Sequence, residues 1–446
     1  MKNRYLIKLG TILLLAVFIS SCEKWIDPKI NEDPDSVVDV PYNLLLPSIE
    51  VDLGYVIGGM DVRGVAGMWT QYVAGMTQQA ATMGKNYNIT EADVNNLWNS
   101  LYNGSMMDLT IFIEKTGDAN PQARGAGKVL LAYALGSTTD LFGDIPYTEA
   151  FKGNAALKPK YDTQQSIYAV INTLLTEGID DLGTANAANA VPFGSTSNDL
   201  IYNGNIPKWI AAAHSLRARY AIHLSKKGTV DYAAVLADCA AGITGNADDF
   251  QMPFGATESN ANPLYEFDVQ RPNYVGASTL FTTRAAGDPR LAVFVGGGKV
   301  FGTFYGSINS PVPFMTYVET KFIEAEAQLR KSGPSQTLAN SAYDAAVTAS
   351  LAKFSVTDAT WLTNNTTGVL GNRSLQNIIE AKYIALFMQT EAYVDFRRTG
   401  WPVLVPTAGA KVPVRYPYCT DERLYNAENV PTGITTDSPL WWMSAK

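Results

Sequence analysis

Residues 128–151, KVLLAYALGSTTDLFGDIPYTEAF, constrain the fold more than any other stretch. Val129, Leu130, Tyr133 and Leu135 alternate with alanines, so the first half is apolar almost all round. A helix of that kind has no face for water and must be surrounded by other elements. Thr138, Thr139 and Asp140 bring polarity where the helix should end, and Gly143, Asp144 and Pro146 break regular structure. The chain therefore needs a scaffold large enough to enclose one helix completely. Asp140 and Asp144 lie close to a glycine and several aromatics, so the turn is either a carboxylate site or a structural joint.

The surrounding sequence supplies such a scaffold. Val94, Leu97, Trp98, Leu101, Tyr102, Leu109 and Phe112 keep helical spacing. Asn120 and Pro121 open the buried helix, and Asp162 stands before a further amphipathic run with Ile167, Ile171, Leu175 and Leu182. Asn205 with Pro207, and Asp231, start two more. Residues 313–331 and 334–354 read as a helical pair joined at Gly333, and residues 373–399 as one or two final helices. Residues 244–275 show no helical period, and 291–310 alternate Val and Phe with Gly, which suggests a small hairpin or irregular strands. The expected class is mainly all-α: tetratricopeptide-like helix pairs with long irregular loops and a little β-hairpin. No clean 34-residue repeat is visible in the letters.

The N-terminus reads as a targeting segment. Lys2, Arg4 and Lys8 precede an apolar run of eleven residues, 9–19, too short to span a bilayer, which takes about 20. Ser20-Ser21-Cys22 follows, the pattern of a bacterial lipoprotein signal in which Cys22 is acylated; the alternative is an ordinary secretory signal with a chance cysteine. Residues 1–21 are then the signal, 22–41 a Pro- and Asp-rich tether, and 42–446 one domain. Formal net charge is -8, and near -11 once the three leader cations are removed (-8 minus 3). That balance argues against nucleic acid as a partner. Cys239 and Cys419 could pair in an exported chain, although Cys239 within YAAVLADCAAGI reads as a small buried residue.

Catalytic inventories are thin. His214 and His223, the two histidines, are about 13 Å apart along one helix at about 1.5 Å per residue, too far to share a metal. HExxH, CxxC and GxSxG are absent, and no cofactor motif is present. Asp140 and Asp144 are assigned to capping and turn geometry, and Glu324 or Glu326 to an interior partner such as Arg397 or Arg398. Binding aromatics with polar neighbours are the stronger signal. They fall in two loop-rich zones: Trp69, Tyr72, Gln78, Asn86 and Tyr87, then Tyr265, Asp268, Arg271, Tyr274 and Tyr305, the second within or near residues 244–310.

The order of motifs resembles SusD/RagB-type nutrient-binding lipoproteins of the outer membrane. The resemblance rests on Ser21-Cys22, DLFGDIPYTEAF (140–151), WIAAAHSLRARYAIHL (209–224), DPRL (288–291), PFMTYVETKFIEAEA (313–327), IIEAKYIALFMQTEAYVDFRRTGWP (378–402) and VPVRYPYCTDERLYN (412–426). It implies a right-handed superhelical scaffold of helix pairs and surface display through acylated Cys22. It also implies capture of oligosaccharide or peptide for a SusC-like TonB-dependent transporter, without catalysis. A lipoprotein glycoside hydrolase of helical fold, which needs only two carboxylates about 5 to 9 Å apart, and a structural lid without a ligand site are the alternatives.

Overall fold

The computed structural model describes residues 40–194, 198–296, 300–409 and 411–445. The signal segment, Cys22 and the tether up to residue 39 lie outside them. The chain divides after Pro41, and Tyr42–Lys446 forms one unit.

The unit is mainly helical. We name α1 (Tyr42–Gly58), α2 (Val65–Trp69), α3 (Met107–Thr116), α4 (Pro121–Phe142), α5 (Gln164–Leu182), α6 (Ile206–His223) and α7 (Tyr232–Ala241). They are followed by α8 (Pro263–Gln270), α9 (Tyr317–Arg330), α10 (Gln336–Lys353), α11 (Leu375–Ala385) and α12 (Glu391–Thr399). From α4 to α7 each helix packs on the one before it, and α9 pairs with α10 through a turn at Gly333 (φ 68°). Helix α4 is buried along nearly its whole surface, as its composition predicts. Two close approaches make this possible. A Cβ on Gly125 would lie 2.8 Å from the Gly178 carbonyl oxygen of α5, and one on Gly136 would lie 2.2 Å from the Tyr220 hydroxyl of α6. Among the described residues no helix is long and apolar enough to cross a membrane.

Among the described residues strands are few and short; two of the three pairs join segments far apart in sequence, and none is a tight hairpin. β1 (Val73–Gly75) pairs with β5 (Val275–Ala277), β2 (Ile145–Pro146) with β3 (Tyr161–Asp162), and β4 (Phe250–Met252) with β6 (Val312–Met315), all antiparallel. One large apolar core runs through α1 to α7 and the C-terminal segment, and a smaller one lies between α9, α10 and α11.

Local expectations fare unevenly. Asp231 and Asn205 cap their helices as read from sequence. Asp162 does not: Thr163 caps α5, and Asp162 instead accepts the Tyr147 and Thr148 amides at 2.8 Å, tying β3 to the turn after β2. Asn120 precedes α4, but its side-chain oxygen takes the Val191 amide. Residues 263–270 form α8, because Asn262 caps Leu264 and Tyr265 and Pro263 fits the first turn. Residues 291–294 form a helical turn, not a strand. Cys239 and Cys419 are free and buried.

Candidate functional site

The turn after α4 resolves into two separate roles. Asp144 accepts the Gln164 amide at 2.7 Å, so it serves the start of α5. Asp140 neither caps nor shapes the turn with its side chain. It is buried and accepts hydrogen bonds from the Tyr168 hydroxyl (2.6 Å) and the Trp442 indole (3.0 Å), and it lies 3.4 Å from His223 Nδ1. His223 meets Glu391 at 3.0 Å on its other ring nitrogen. Glu391 also faces Arg219 and Lys382, and Lys382 leads to Asp395, Arg398 and Glu326. The expected partner for Glu326 is thus Arg398, at 2.6 Å. This chain of charges ties α4, α6, α9, α11 and α12 together. The cavity beside it is only about 40 Å³, room for a water or so and not for a substrate.

A space of ligand size lies elsewhere. A cleft of about 1100 Å³ opens between α1, α8 and residues 92–100. Clefts for small ligands usually hold about 300–1000 Å³, so this one admits an oligomer. Helical spacing puts Ser48, Asp52 and Tyr55 of α1 on its wall, and Glu266, Phe267 and Gln270 of α8 opposite. Tyr55 links the walls, donating to Glu266 at 3.0 Å and to the Ala261 carbonyl at 3.1 Å. Partial burial, then the Glu266 carboxylate, push its phenol up to about 12. The third wall holds Asp93. Burial would raise its carboxyl, but hydrogen bonds from Thr90 and Gln79 outweigh burial and hold it below the usual carboxylate range. Asp61 goes the other way, raised by burial and by the Asp93 charge. At the rim Phe267 and Tyr274 meet edge to face at 5.4 Å, with the Arg271 guanidinium 5.9 Å and 5.5 Å from their rings.

The cleft therefore combines aromatic surface with acceptors for hydroxyl or amine protons. Four carboxylates, Asp52, Asp61, Asp93 and Glu266, face it against one guanidinium, Arg271. An acidic, partly aromatic surface suits a polyhydroxylated ligand, whose O–H groups donate while its C–H faces stack.

Of the ten residues singled out in the sequence, the cleft brings together Arg271 and Tyr274. Three others are corrected. Trp69 is fully buried between Tyr393 and Tyr416, its indole donating to the Met83 carbonyl at 2.9 Å. Tyr72 is fully buried, stacked on Tyr383 at 4.3 Å, and Tyr305 is buried with Arg63 4.8 Å over its ring. Those rings are saturated by protein contacts and have no face to offer. Gln78 and Asn86 are exposed outside the cleft, and the half-buried Tyr87 accepts from the Thr407 amide at 3.0 Å. Tyr265 and Asp268 are half-buried on α8 but do not line the cleft; the α8 residues that do are 266, 267 and 270. Sequence reasoning missed Tyr55, Asp52, Asp93 and Phe267. The helical period of α8 was the available signal, hidden because eight residues carry barely two turns.

Comparison with known proteins agrees with this architecture. The profile of the SusD-like family described as "Starch-binding associating with outer membrane" matches residues 39–308 and 299–419. A SusD/RagB family protein from Bacteroides thetaiotaomicron is similar in structure, with 24% identity, TM-score 0.76, and 91% of this chain and 99% of that one covered. A chitin-binding SusD homolog from Flavobacterium johnsoniae gives 20% identity, TM-score 0.73 and coverage of 89% and 98%. An outer membrane protein from Bacteroides vulgatus described as probably involved in nutrient binding gives 23%, 0.73, 91% and 100%. At these identities the structures show a shared fold. No curated protein matches the chain in sequence. With the profile spanning most of its length, the chain belongs to the SusD-like family of starch-binding proteins that associate with the outer membrane.

Proposed function

We propose that this protein captures an oligosaccharide at the outer-membrane surface and hands it to a SusC-like TonB-dependent transporter, acting by binding and without catalysis. The observation that carries the reading is the cleft between α1 and α8, large enough for several sugar units and lined by Tyr55, Phe267, Tyr274, Arg271 and four carboxylates. Support for a glycan over a peptide comes from the family description and from relatives named as chitin-binding. Acylated Cys22 would hold the protein to the outer leaflet, at the start of the tether, residues 22–41.

Calorimetry of the purified protein against a panel of oligosaccharides and peptides tests the reading. An oligosaccharide should bind, and Phe267→Ala with Tyr274→Ala should weaken it by roughly 1–3 kcal/mol through lost aromatic contact. The proposal fails if peptides alone bind, if the double substitution leaves affinity intact, or if the glycan is cleaved. Co-purification of a TonB-dependent transporter from membranes checks the partner.

A further inference from the structure

A second pocket, unrelated to the cleft, is built from a motif that nutrient capture does not use. Asp288 and Arg290 of the DPRL stretch form a bidentate pair: Arg290 donates to Asp288 at 3.0 Å and 2.6 Å. Its remaining terminal nitrogen donates to Ser350 at 2.7 Å, so each of the three guanidinium nitrogens is engaged, and the guanidinium sits 5.3 Å from the Trp361 ring. This unit forms one wall of a pocket of about 220 Å³ between α10, α11 and the short helix Ala359–Asn364.

Two further arginines enter the same space and are not saturated. Arg373 belongs to no ion pair among the described residues; its guanidinium engages the neutral Tyr343 side chain, so no carboxylate offsets its charge. Its guanidinium rests 5.1 Å from the Tyr343 ring, which orients it without neutralising it. Arg284 donates one terminal nitrogen to the Val403 carbonyl at 2.6 Å, while the other lies 3.7 Å from Glu380 and makes no hydrogen bond. The Nε atoms of both arginines are buried without a partner. With Asp288 consumed by Arg290, the pocket presents two cations against the single carboxylate of Glu380. Asn365 uses its amide nitrogen on the Trp361 carbonyl, leaving its oxygen open, and Asn377 uses its oxygen on Ser374, leaving its amide nitrogen open.

We propose that this pocket is a second ligand site, which takes one carboxylate-bearing sugar unit. Arg373 and Arg284 supply the fork that matches a carboxylate. Trp361 supplies an apolar surface for the ring, and Asn365 and Asn377 supply an acceptor and a donor for hydroxyls. At about 220 Å³ the pocket is smaller than the usual range for small-ligand clefts, so the site holds no more than a single unit. A simple inorganic anion would leave the indole and both amides unused. The choice of a sugar acid, rather than another carboxylate of similar size, rests on the glycan reading above.

Calorimetry of the full-length protein with glucuronate, glucose and inorganic phosphate as probes tests the site. Glucuronate should bind more tightly than the other two and weaken with added salt. Arg373→Met should reduce its affinity about tenfold or more, and Arg373→Lys should recover only part, because a lysine cannot form the fork. Arg284→Gln is the second variant, and circular dichroism establishes that each one folds. Equal binding of glucose would overturn the carboxylate assignment, and equal binding of phosphate the sugar. No glucuronate binding, or full affinity in both folded variants, would overturn the site itself. If a neutral oligosaccharide still binds the cleft in that case, only this proposal fails; if neither binds, the functional reading fails with it.

Discussion

His223 should make the stability of this protein fall as the solution becomes alkaline. Its ring is fully buried, and burial alone would lower its pKa. The Glu391 and Asp140 carboxylates outweigh that and raise it from 6.5 to about 9. Both ring nitrogens face acceptors: Nε2 meets Glu391 at 3.0 Å, and Nδ1 meets the Tyr168 hydroxyl at 2.9 Å, which itself donates to Asp140. Only the doubly protonated imidazolium can donate on both sides. A pKa that is higher folded than unfolded adds stability that is fully present below 6.5 and lost as pH rises through about 9. The gap corresponds to roughly 3 kcal/mol, of which about 2 should disappear between pH 7 and pH 9. The assay is urea unfolding of the wild type and His223→Gln at intervals across that range. The variant should be less stable at pH 7, and the difference should shrink towards pH 9 as the wild type loses its proton. Parallel curves at all pH values would refute a charged His223, as would a wild type that gains stability relative to the variant on alkalisation.

Arg398→Ala should destabilise by about 2–4 kcal/mol in chemical unfolding, because buried Glu326 and Asp395 lose their shared cation and keep only Arg330 and Lys382; Arg398→Lys should restore little, since the two 2.6 Å contacts to Glu326 need a planar fork. Burial would raise the Glu326 carboxyl, but Arg398 holds it down to about 2, so this pair's stabilisation exists above about 4.5 and fades as acid approaches pH 2; an acid titration followed by circular dichroism would register it. Gly136→Leu should lower thermal stability by about 1–3 kcal/mol or more, as its side chain would displace Tyr220 from α4; a stable variant would contradict the close approach. Cys22→Ala should move the protein from the membrane to the soluble fraction, and retention at the membrane would dismiss the anchor.

The helices were legible because their signals are local. Asn205 and Asp231 announce caps, and the run from Val129 to Leu135 announces burial. Side-chain destinations were less legible, for a physical reason. Trp69 and Tyr72 stand in a glycine-rich stretch that reads as well for a binding loop as for a core, and only Tyr383, Tyr393 and Tyr416, more than 300 residues away, decide the matter. Asp140 suffers the same ambiguity: its partners Tyr168, His223 and Trp442 come from three distant segments. Arg271 and Tyr274 were found because they lie in the aromatic, non-periodic stretch 244–275, part of which lines the cleft. The cleft's opposite wall, on α1, carries Asp52 and Tyr55 at a helical period that resembles any solvated face until α8 is placed against it.

The indole of Trp442 reaches Asp140 across 302 positions of sequence, and β1 pairs with a strand some 200 positions on. Synthesis runs from one end, so α4, α5 and α6 can associate as they emerge, while Asp140 waits for its last donor until the C-terminal segment arrives. Closing so long a loop is entropically costly and slow compared with pairing adjacent helices. The stretch around Trp441 and Trp442 is therefore the last to join: a chain that ended before it would leave Asp140 without the indole donor.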